Sequence, residues 1–271
     1  MSASVILVGG GKMGAAMLAG WLDRGLDRSA VVVVEPHAET ASVLAQRHGV
    51  AVVVGPETID PDLRPDIVVF AVKPQATDAV TPAYARFVEN RPVLLSIAAG
   101  RTLASFETVL GRDAAVVRAM PNTPAAIGRG ITVACANGAV TDAQRTACTG
   151  LLEAVGEVAW VEEEALMDAV TAVSGSGPAY VFLLAECLAD AGVHAGLPAE
   201  LALRLACATV TGAGELLYRS DDPPETLRQN VTSPGGTTAA ALEVLMGEDG
   251  LKRLMRAAVQ AAARRSRDLA G

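Results

Sequence analysis

Aromatic residues make up only 3% of this 271-residue chain, and no run of about 18 uninterrupted apolar residues occurs although 51% of the residues are hydrophobic. Most of that apolar content is Ala and Val spread among charges, so the expectation is a globular core of small side chains with no membrane-spanning helix. Met1-Ser2-Ala3 leads straight into a strand pattern with no leader-like segment, and a cytoplasmic location is expected. Basic residues are in deficit. The formal net charge of −8 opposes a nucleic-acid or acidic-membrane partner, because a phosphate-rich surface calls for a basic face. Cys135, Cys148, Cys187 and Cys207 stand far apart in apolar surroundings without C-x-x-C or Cys/His spacing, which predicts buried reduced thiols and no metal. A small-molecule partner is what remains.

Glycine, by contrast, is concentrated where it carries meaning. Ser4 to Val8 is a short apolar run ending at Val8, followed by Gly9-Gly10-Gly11-Lys12-Met13-Gly14 and a helix whose apolar face shows as Met13, Met17 and Trp21. In a dinucleotide site Gly9 permits the tight turn, Gly11 lets the backbone approach a pyrophosphate, and Gly14 lets the helix pack close to the strand. G-x-G-x-x-G alone is a weak signal. Here it sits at the first strand-to-helix turn, and the next strand, Ala30 to Val34, ends in Glu35, 21 residues beyond Gly14 and near the spacing of a ribose-binding acid. A carboxylate there favours a 2′-hydroxyl over a 2′-phosphate, so NADH is favoured over NADPH on this ground; a Glu35 pointing into solvent would leave His37 to meet a phosphate instead.

Further strand patterns at Val50 to Val54, Ile67 to Val72, Val93 to Ile97, Ala115 to Arg118, Ile131 to Cys135 and Val158 to Val161 alternate with helical ones, predicting a parallel sheet. Ligands bind beyond the carboxyl ends of such strands. Ala71-Val72-Lys73-Pro74 and Ala98-Ala99-Gly100 should therefore flank the nicotinamide half of the cofactor, although Lys73 read alone is also an ordinary surface lysine. Asn122 lies in the proline-stiffened loop Met120-Pro121-Asn122-Thr123-Pro124 at the same end. After Glu162-Glu163-Glu164 strand patterns stop, giving an expected division into residues 1–161 and 162–271, the second all-helical. Ser174-Gly175-Ser176-Gly177-Pro178 interrupts a long helix there, either for close packing or for close approach of backbone to the nicotinamide. Ser233-Pro234 reads as a helix start, so the backbone N–H groups from Gly235 to Thr238 should be open donors for an anion, with Thr237 and Thr238 adding neutral hydroxyls. A helical domain this apolar should bury part of its surface against a second subunit.

Over essentially its full length the chain resembles the pyrroline-5-carboxylate reductases, which make proline. The resemblance is carried, in order, by Gly9 to Gly14, Ala71 to Pro74, Ser96 to Gly100, Met120 to Pro124, Ser174 to Tyr180 and Val231 to Thr238. It implies an α/β fold in which an N-terminal Rossmann-type doubly wound sheet precedes an all-α C-terminal dimerisation domain, with homodimers further assembled into a ring. It implies a cyclic imino acid as substrate, its carboxylate held by Ser233, Gly235, Gly236, Thr237 and Thr238, its ring nitrogen near Thr238, and Glu164 and Asn230 lining the pocket. It implies NADPH or NADH as cofactor without a metal. Glu35-Pro36 departs from the small polar or basic residues usual there in the family, which puts the usual NADPH preference in question.

Two other functions fit parts of the pattern. A β-hydroxyacid dehydrogenase shares the plan but places a Lys a few residues after its glycines, where this chain has Pro178-Ala179-Tyr180. A protein that merely senses NAD(P)H would keep Gly9 to Gly14 and Glu35 but would need no anion-holding helix end in the second domain. Because Glu35 should repel a 2′-phosphate, Glu35→Ser is expected to raise the NADPH/NADH ratio of kcat/KM. An unchanged ratio would take Glu35 away from the ribose.

Overall fold

The computed structural model describes residues 3–270. They form two compact units, one made of everything described up to Gly175 together with the helical end from Ala263, the other of Ser176–Ala262. This compact division falls later than the change of pattern at 161/162. The reason is burial: Met167 belongs to a core cluster of the sheet with Val133 and Cys135, and Ser266 Oγ donates to Asp168 Oδ1 at 2.7 Å.

In the first unit eight strands form one sheet: β1 (Val5–Val8), β2 (Val31–Val34), β3 (Ala51–Val53), β4 (Ile67–Phe70), β5 (Val93–Ser96), β6 (Ala115–Met120), β7 (Gly130–Ala136) and β8 (Gly156–Trp160). Their order is β3-β2-β1-β4-β5-β6-β7-β8. All neighbours run parallel except β6 and β7. The wholly parallel expectation fails there because only a short turn of 3-10 helix, Thr123–Ile127, joins these two strands, and a parallel return needs a crossover of about a dozen residues or more. β1, β4 and β5 are buried along their whole length, as strands covered on both faces should be, which accounts for their unbroken apolar sequences.

The covering helices are α1 (Lys12–Asp23), α2 (Ala38–His48), α3 (Pro74–Val80), α4 (Leu103–Leu110) and α5 (Asp142–Leu152). The helical pattern between β4 and β5 does not form one helix. α3 gives way to a 3-10 segment, Thr81–Asn90, at Pro82, which has no N–H to continue an α ladder. On one face of the sheet Met17, Leu18 and Trp21 pack with Leu151, and Trp21 Nε1 donates to the Leu151 carbonyl at 2.9 Å. On the other face Phe70 meets Tyr84 edge-on, ring centroids 5.3 Å apart, with Phe106 beside them.

The first unit continues through α6 (Met167–Val170) into a turn of π-helix, Thr171–Gly175, the form taken by the interruption seen in the sequence. The second unit contains α7 (Gly177–His194), α8 (Ala199–Arg219), α9 (Pro224–Asn230) and α10 (Thr237–Leu245), and α11 (Leu251–Ala270) begins in it. α7 and α8 pack through small residues, since a Cβ on Gly192 would lie 3.2 Å from that of Ala202. Much of their apolar surface stays open within this chain: Phe182, Leu183, Leu203 and Leu216 are all more than half exposed.

Two expectations change accordingly. Cys135 and Cys148 are buried, their thiols pushed up by burial to about 11 and about 12, but Cys187 and Cys207 are exposed on α7 and α8, whose apolar faces this chain does not cover. The stretch Glu164–His194 is also long and apolar enough to cross a membrane by length and composition. Asp168, Glu186 and Asp190 divide it, so it does not show as an uninterrupted apolar run in the sequence.

Candidate functional site

Chain order reverses between β1 and β4, so the connections leaving their carboxyl ends run to opposite faces and open a crevice between them. The glycine corner forms one wall of it. Gly9 adopts φ +99, where a side chain is strained, and a Cβ there would lie 2.8 Å from the Ala71 carbonyl oxygen on the neighbouring connection. A Cβ on Gly14 would strike the Gly9 carbonyl, so the helix rests on its own turn only because that position is bare. Gly11 faces open space. It is the N-cap of α1, with no side-chain cap and no acidic residue in the first turn, which leaves positive helix-end donors directed at whatever approaches. A phosphate-bearing ligand fits this corner.

Behind the corner lies a cavity of about 570 Å³ whose walls include Val8, Gly9 and Gly11, Glu35 and His37, and Ala71, Val72 and Lys73. Lys73 is exposed at the N-cap of α3, on the cavity wall, with Pro74 as first helical residue. Gly10, Lys12, Met13 and Gly14 form the rest of the same turn and helix start. Ala98, Ala99 and Gly100 follow β5, next in the sheet; Ala98 N–H donates to Ser96 Oγ at 3.3 Å and Gly100 takes φ +73. Asn122 is tied into its own loop, its Oδ1 accepting from Ile131 N–H at 3.0 Å.

Glu35 is buried, 5% exposed, and does not point into solvent. Its Oε2 accepts from Gly10 N–H at 2.8 Å, while its Oε1 accepts from His37 N–H at 2.9 Å and meets His37 Nδ1 at 2.7 Å. Burial disfavours its charge, but these donors more than offset that and hold the carboxyl below its ordinary pKa. The residue therefore fastens the end of β2 to the glycine turn as well as lining the cavity.

Glu164 stands at the start of a 3-10 turn in the first unit. Its Oε1 accepts from Leu103 N–H at 2.9 Å, at the start of α4, and from Arg118 Nη1 at 2.8 Å. Arg118 is 5% exposed, so this is a charge pair largely out of water. Gly175, in the π-helical turn, packs so closely that an added Cβ would lie 2.5 Å from Met120 Cε, which gives the Ser174 to Pro178 interruption a packing role at that residue.

In the second unit the helix start differs from the sequence reading. Ser233 is not the cap: α10 begins at Thr237 with Gly236 as N-cap. Ser233 to Gly236 instead form a turn, Gly236 N–H donating to the Ser233 carbonyl at 3.1 Å and Gly235 taking φ +67. Pro followed by a left-handed Gly is the sequence of a type II turn, and it wins over a Ser-Pro helix start because Gly235 adopts that conformation without strain. Gly236 N–H is thereby used. Thr237 and Thr238 occupy the first two helical positions, where N–H groups have no intrahelical acceptor. Asn230 ends α9, in the same unit.

Arg118, Tyr84 and the engagement of His37 were not found from sequence. A lone arginine inside the valine-rich strand Ala115 to Met120 was the available signal, since a strand buried on both faces admits a charge only with a partner. Nothing in the sequence pairs Tyr84 with the cavity, and His37 is a phosphate contact there only on the reading that Glu35 turns to solvent, whereas both residues line the cavity.

The chain is similar to known proteins over its whole length. A family model described as pyrroline-5-carboxylate reductase dimerisation matches residues 164–269, and one described as NADP oxidoreductase, coenzyme F420-dependent, matches residues 4–100. The chain is 41% identical to the pyrroline-5-carboxylate reductase of Pseudomonas aeruginosa, covering 98% of this chain and 96% of that one, and 41% identical to that of Synechocystis, covering 99% of each. Among solved structures it is similar to a pyrroline-5-carboxylate reductase from Coxiella burnetii, with TM-score 0.92, 34% identity and full coverage of both chains. It is likewise similar to a pyrroline carboxylate reductase from Plasmodium falciparum with NADP bound, with TM-score 0.83, 30% identity and coverage of 99% and 98%.

Removing one partner of a buried pair leaves the other charge uncompensated. Glu164→Ala is expected to destabilise the protein by about 3–5 kcal/mol, and Arg118→Met combined with Glu164→Leu by much less. Denaturant unfolding of the single and double variants measures both.

Proposed function

The chain belongs to the pyrroline-5-carboxylate reductase family, and from that premise we infer the reaction it carries out: reduction of 1-pyrroline-5-carboxylate to L-proline with NADPH or NADH, the last step of proline biosynthesis. The observation that carries this reading is full-length similarity at 41% identity joined to a bare glycine corner opening on a cavity at the strand-order reversal.

The residues assigned here are our reading. We assign the cofactor to Val8, Gly9 to Gly14, Glu35, Ala71 to Pro74, Ala98 to Gly100 and Asn122. The substrate is assigned to Asn230, Ser233, Gly235, Gly236, Thr237 and Thr238, with Glu164 added on family resemblance alone. When bound, reduced nicotinamide supplies the hydride that C5 of the imine accepts. Thr237 and Thr238 N–H, at the positive end of α10, hold the substrate carboxylate, and the Gly235-Gly236 backbone admits it without a side chain in the way. The Thr238 hydroxyl orients the ring and hydrogen-bonds the amine being formed. An imine that enters already protonated needs no strong general acid, so positioning suffices.

We take residues 1–161 as the cofactor-binding part and 162–271 as the dimerisation and substrate part, supported by the family match that begins at residue 164. The protein is a homo-oligomer, and its open apolar faces on α7 and α8 are the surface we assign to a second subunit, the dimers joining further into a ring. Glu164–His194 is accordingly read as an interface helix, and the protein as cytoplasmic.

A spectrophotometric assay with pyrroline-5-carboxylate, run with NADH and NADPH in parallel, tests the reaction: oxidation of either cofactor that depends on the imine is expected, and none with either would overturn it. Thr238→Ala should leave cofactor binding intact. If the hydroxyl only orients the ring, kcat/KM falls roughly tenfold, the cost of one neutral hydrogen bond. A pH-dependent loss of about 10²–10⁴-fold would instead make Thr238 a proton relay.

A further inference from the structure

Resting on the NAD(P)H reading of the cavity, we propose that Glu35 and His37 together select the cofactor by protonation: neutral His37 accepts from the 2′-hydroxyl of NADH, and protonated His37 donates to the 2′-phosphate of NADPH. The argument begins with the tautomer. Glu35 is an ionised, buried carboxylate and can only accept, so the 2.7 Å contact with His37 Nδ1 requires the proton on Nδ1. In the neutral ring Nε2 is then a bare acceptor. It can take a hydrogen bond from a ribose hydroxyl, and it has nothing to offer a phosphate. Protonation turns Nε2 into a donor and gives the ring a positive charge, reversing both properties at one atom.

The surroundings support this placement. The His37 side chain is 82% exposed although it lines the cavity, so its free nitrogen is accessible to a ligand. His37 is also the N-cap of α2 and carries no side-chain cap bond, but Glu39 stands in the first turn of that helix, so the helix end itself adds no net attraction for an anion and the discrimination rests on the His37 ring. Glu35 contributes Oε1 to His37 twice, through backbone and ring, which fixes the ring beside the end of β2. The other ionisable groups around it are Lys73 and Tyr84 on the cavity wall and Glu39 in the first turn of α2. Tyr84 is kept neutral by burial throughout the range in which an imidazole titrates. The charge that changes there belongs to the Glu35–His37 pair. With His37 protonated the pair sums to zero, and with His37 neutral it presents a net negative charge to a 2′-phosphate.

The test compares binding of NADP⁺ and NAD⁺ by calorimetry at about pH 6 and about pH 8.5, which bracket imidazole titration, in the wild-type protein, His37→Gln and Glu35→Gln. The NADP⁺/NAD⁺ affinity ratio of the wild type is expected to fall roughly tenfold more across that range than the ratio of His37→Gln, as loss of a charge-assisted hydrogen bond would require. The 2′-phosphate's own ionisation is common to both proteins and cancels in this comparison. Glu35→Gln, which frees the tautomer, should make the wild-type slope shallower. The proposal is overturned if wild type and His37→Gln show the same slope, or if Glu35→Gln leaves the slope unchanged. Binding that follows this pattern without turnover of the imine would sink the proposed reaction and leave the selector standing; turnover with a flat ratio would do the opposite.

Discussion

The close approach of the glycine corner to its neighbours is the constraint on which the rest depends. β1 turns into α1 with Gly9 against the Ala71 carbonyl and Gly14 against the Gly9 carbonyl, contacts that leave no room for a methyl group. Because backbone meets backbone there, the α1 N-terminus is carried up to the mouth of the crevice and Gly11 is left facing space. Glu35 holds the same corner from the other side through Gly10 N–H. Trp21, one face further along α1, anchors the helix by its bond to the Leu151 carbonyl. A side chain added at Gly9 or Gly14 would push the helix end away from the crevice.

Two side-chain pairs of the first unit set backbone positions near the crevice or the sheet. Glu35 with His37 and Arg118 with Glu164 each combine a buried member with a more exposed one, and each joins elements distant in sequence or adjacent at a strand end. Both carboxylates also accept from backbone N–H groups, Gly10 and His37 in one case and Leu103 in the other. Such bonds offset the cost of removing a carboxylate from water, and they set backbone position more firmly than an ion pair alone. The pair at Glu35 lies on the cavity, so the atoms that anchor the end of β2 also form part of the cavity wall.

The second unit is built on a different principle. α7 and α8 meet through Gly192, Ala202 and Ala206, small residues that bring backbones together but bury little apolar area. The larger Phe and Leu side chains face outward. This economy is in keeping with the match of residues 164–269 to a dimerisation family, since an oligomerising domain need not complete its core within one chain.

Periodicity, glycine position and the order of elements were readable in the sequence, since they depend on local chemistry: unbroken Val/Ile/Leu runs for strands covered on both faces, Gly9 to Gly14 for a turn that must admit backbone, and helix formers after Glu164. The family was readable too, through six blocks in order. Tertiary structure alone decided the antiparallel β7, because it depends on the length of one turn, and the start of α10 at Thr237, where a left-handed Gly235 outcompeted a serine cap. It also decided that Glu35 is pinned by Gly10 and His37, that Arg118 is the partner of Glu164, and that Cys187 and Cys207 lie open while Cys135 and Cys148 do not. Gly10 and Arg118 lie far in sequence from the carboxylates they meet and the cysteines' exposure depends on packing, while the turns before β7 and α10 are local but take one of several conformations open to their residues; a linear pattern carries neither distance nor burial.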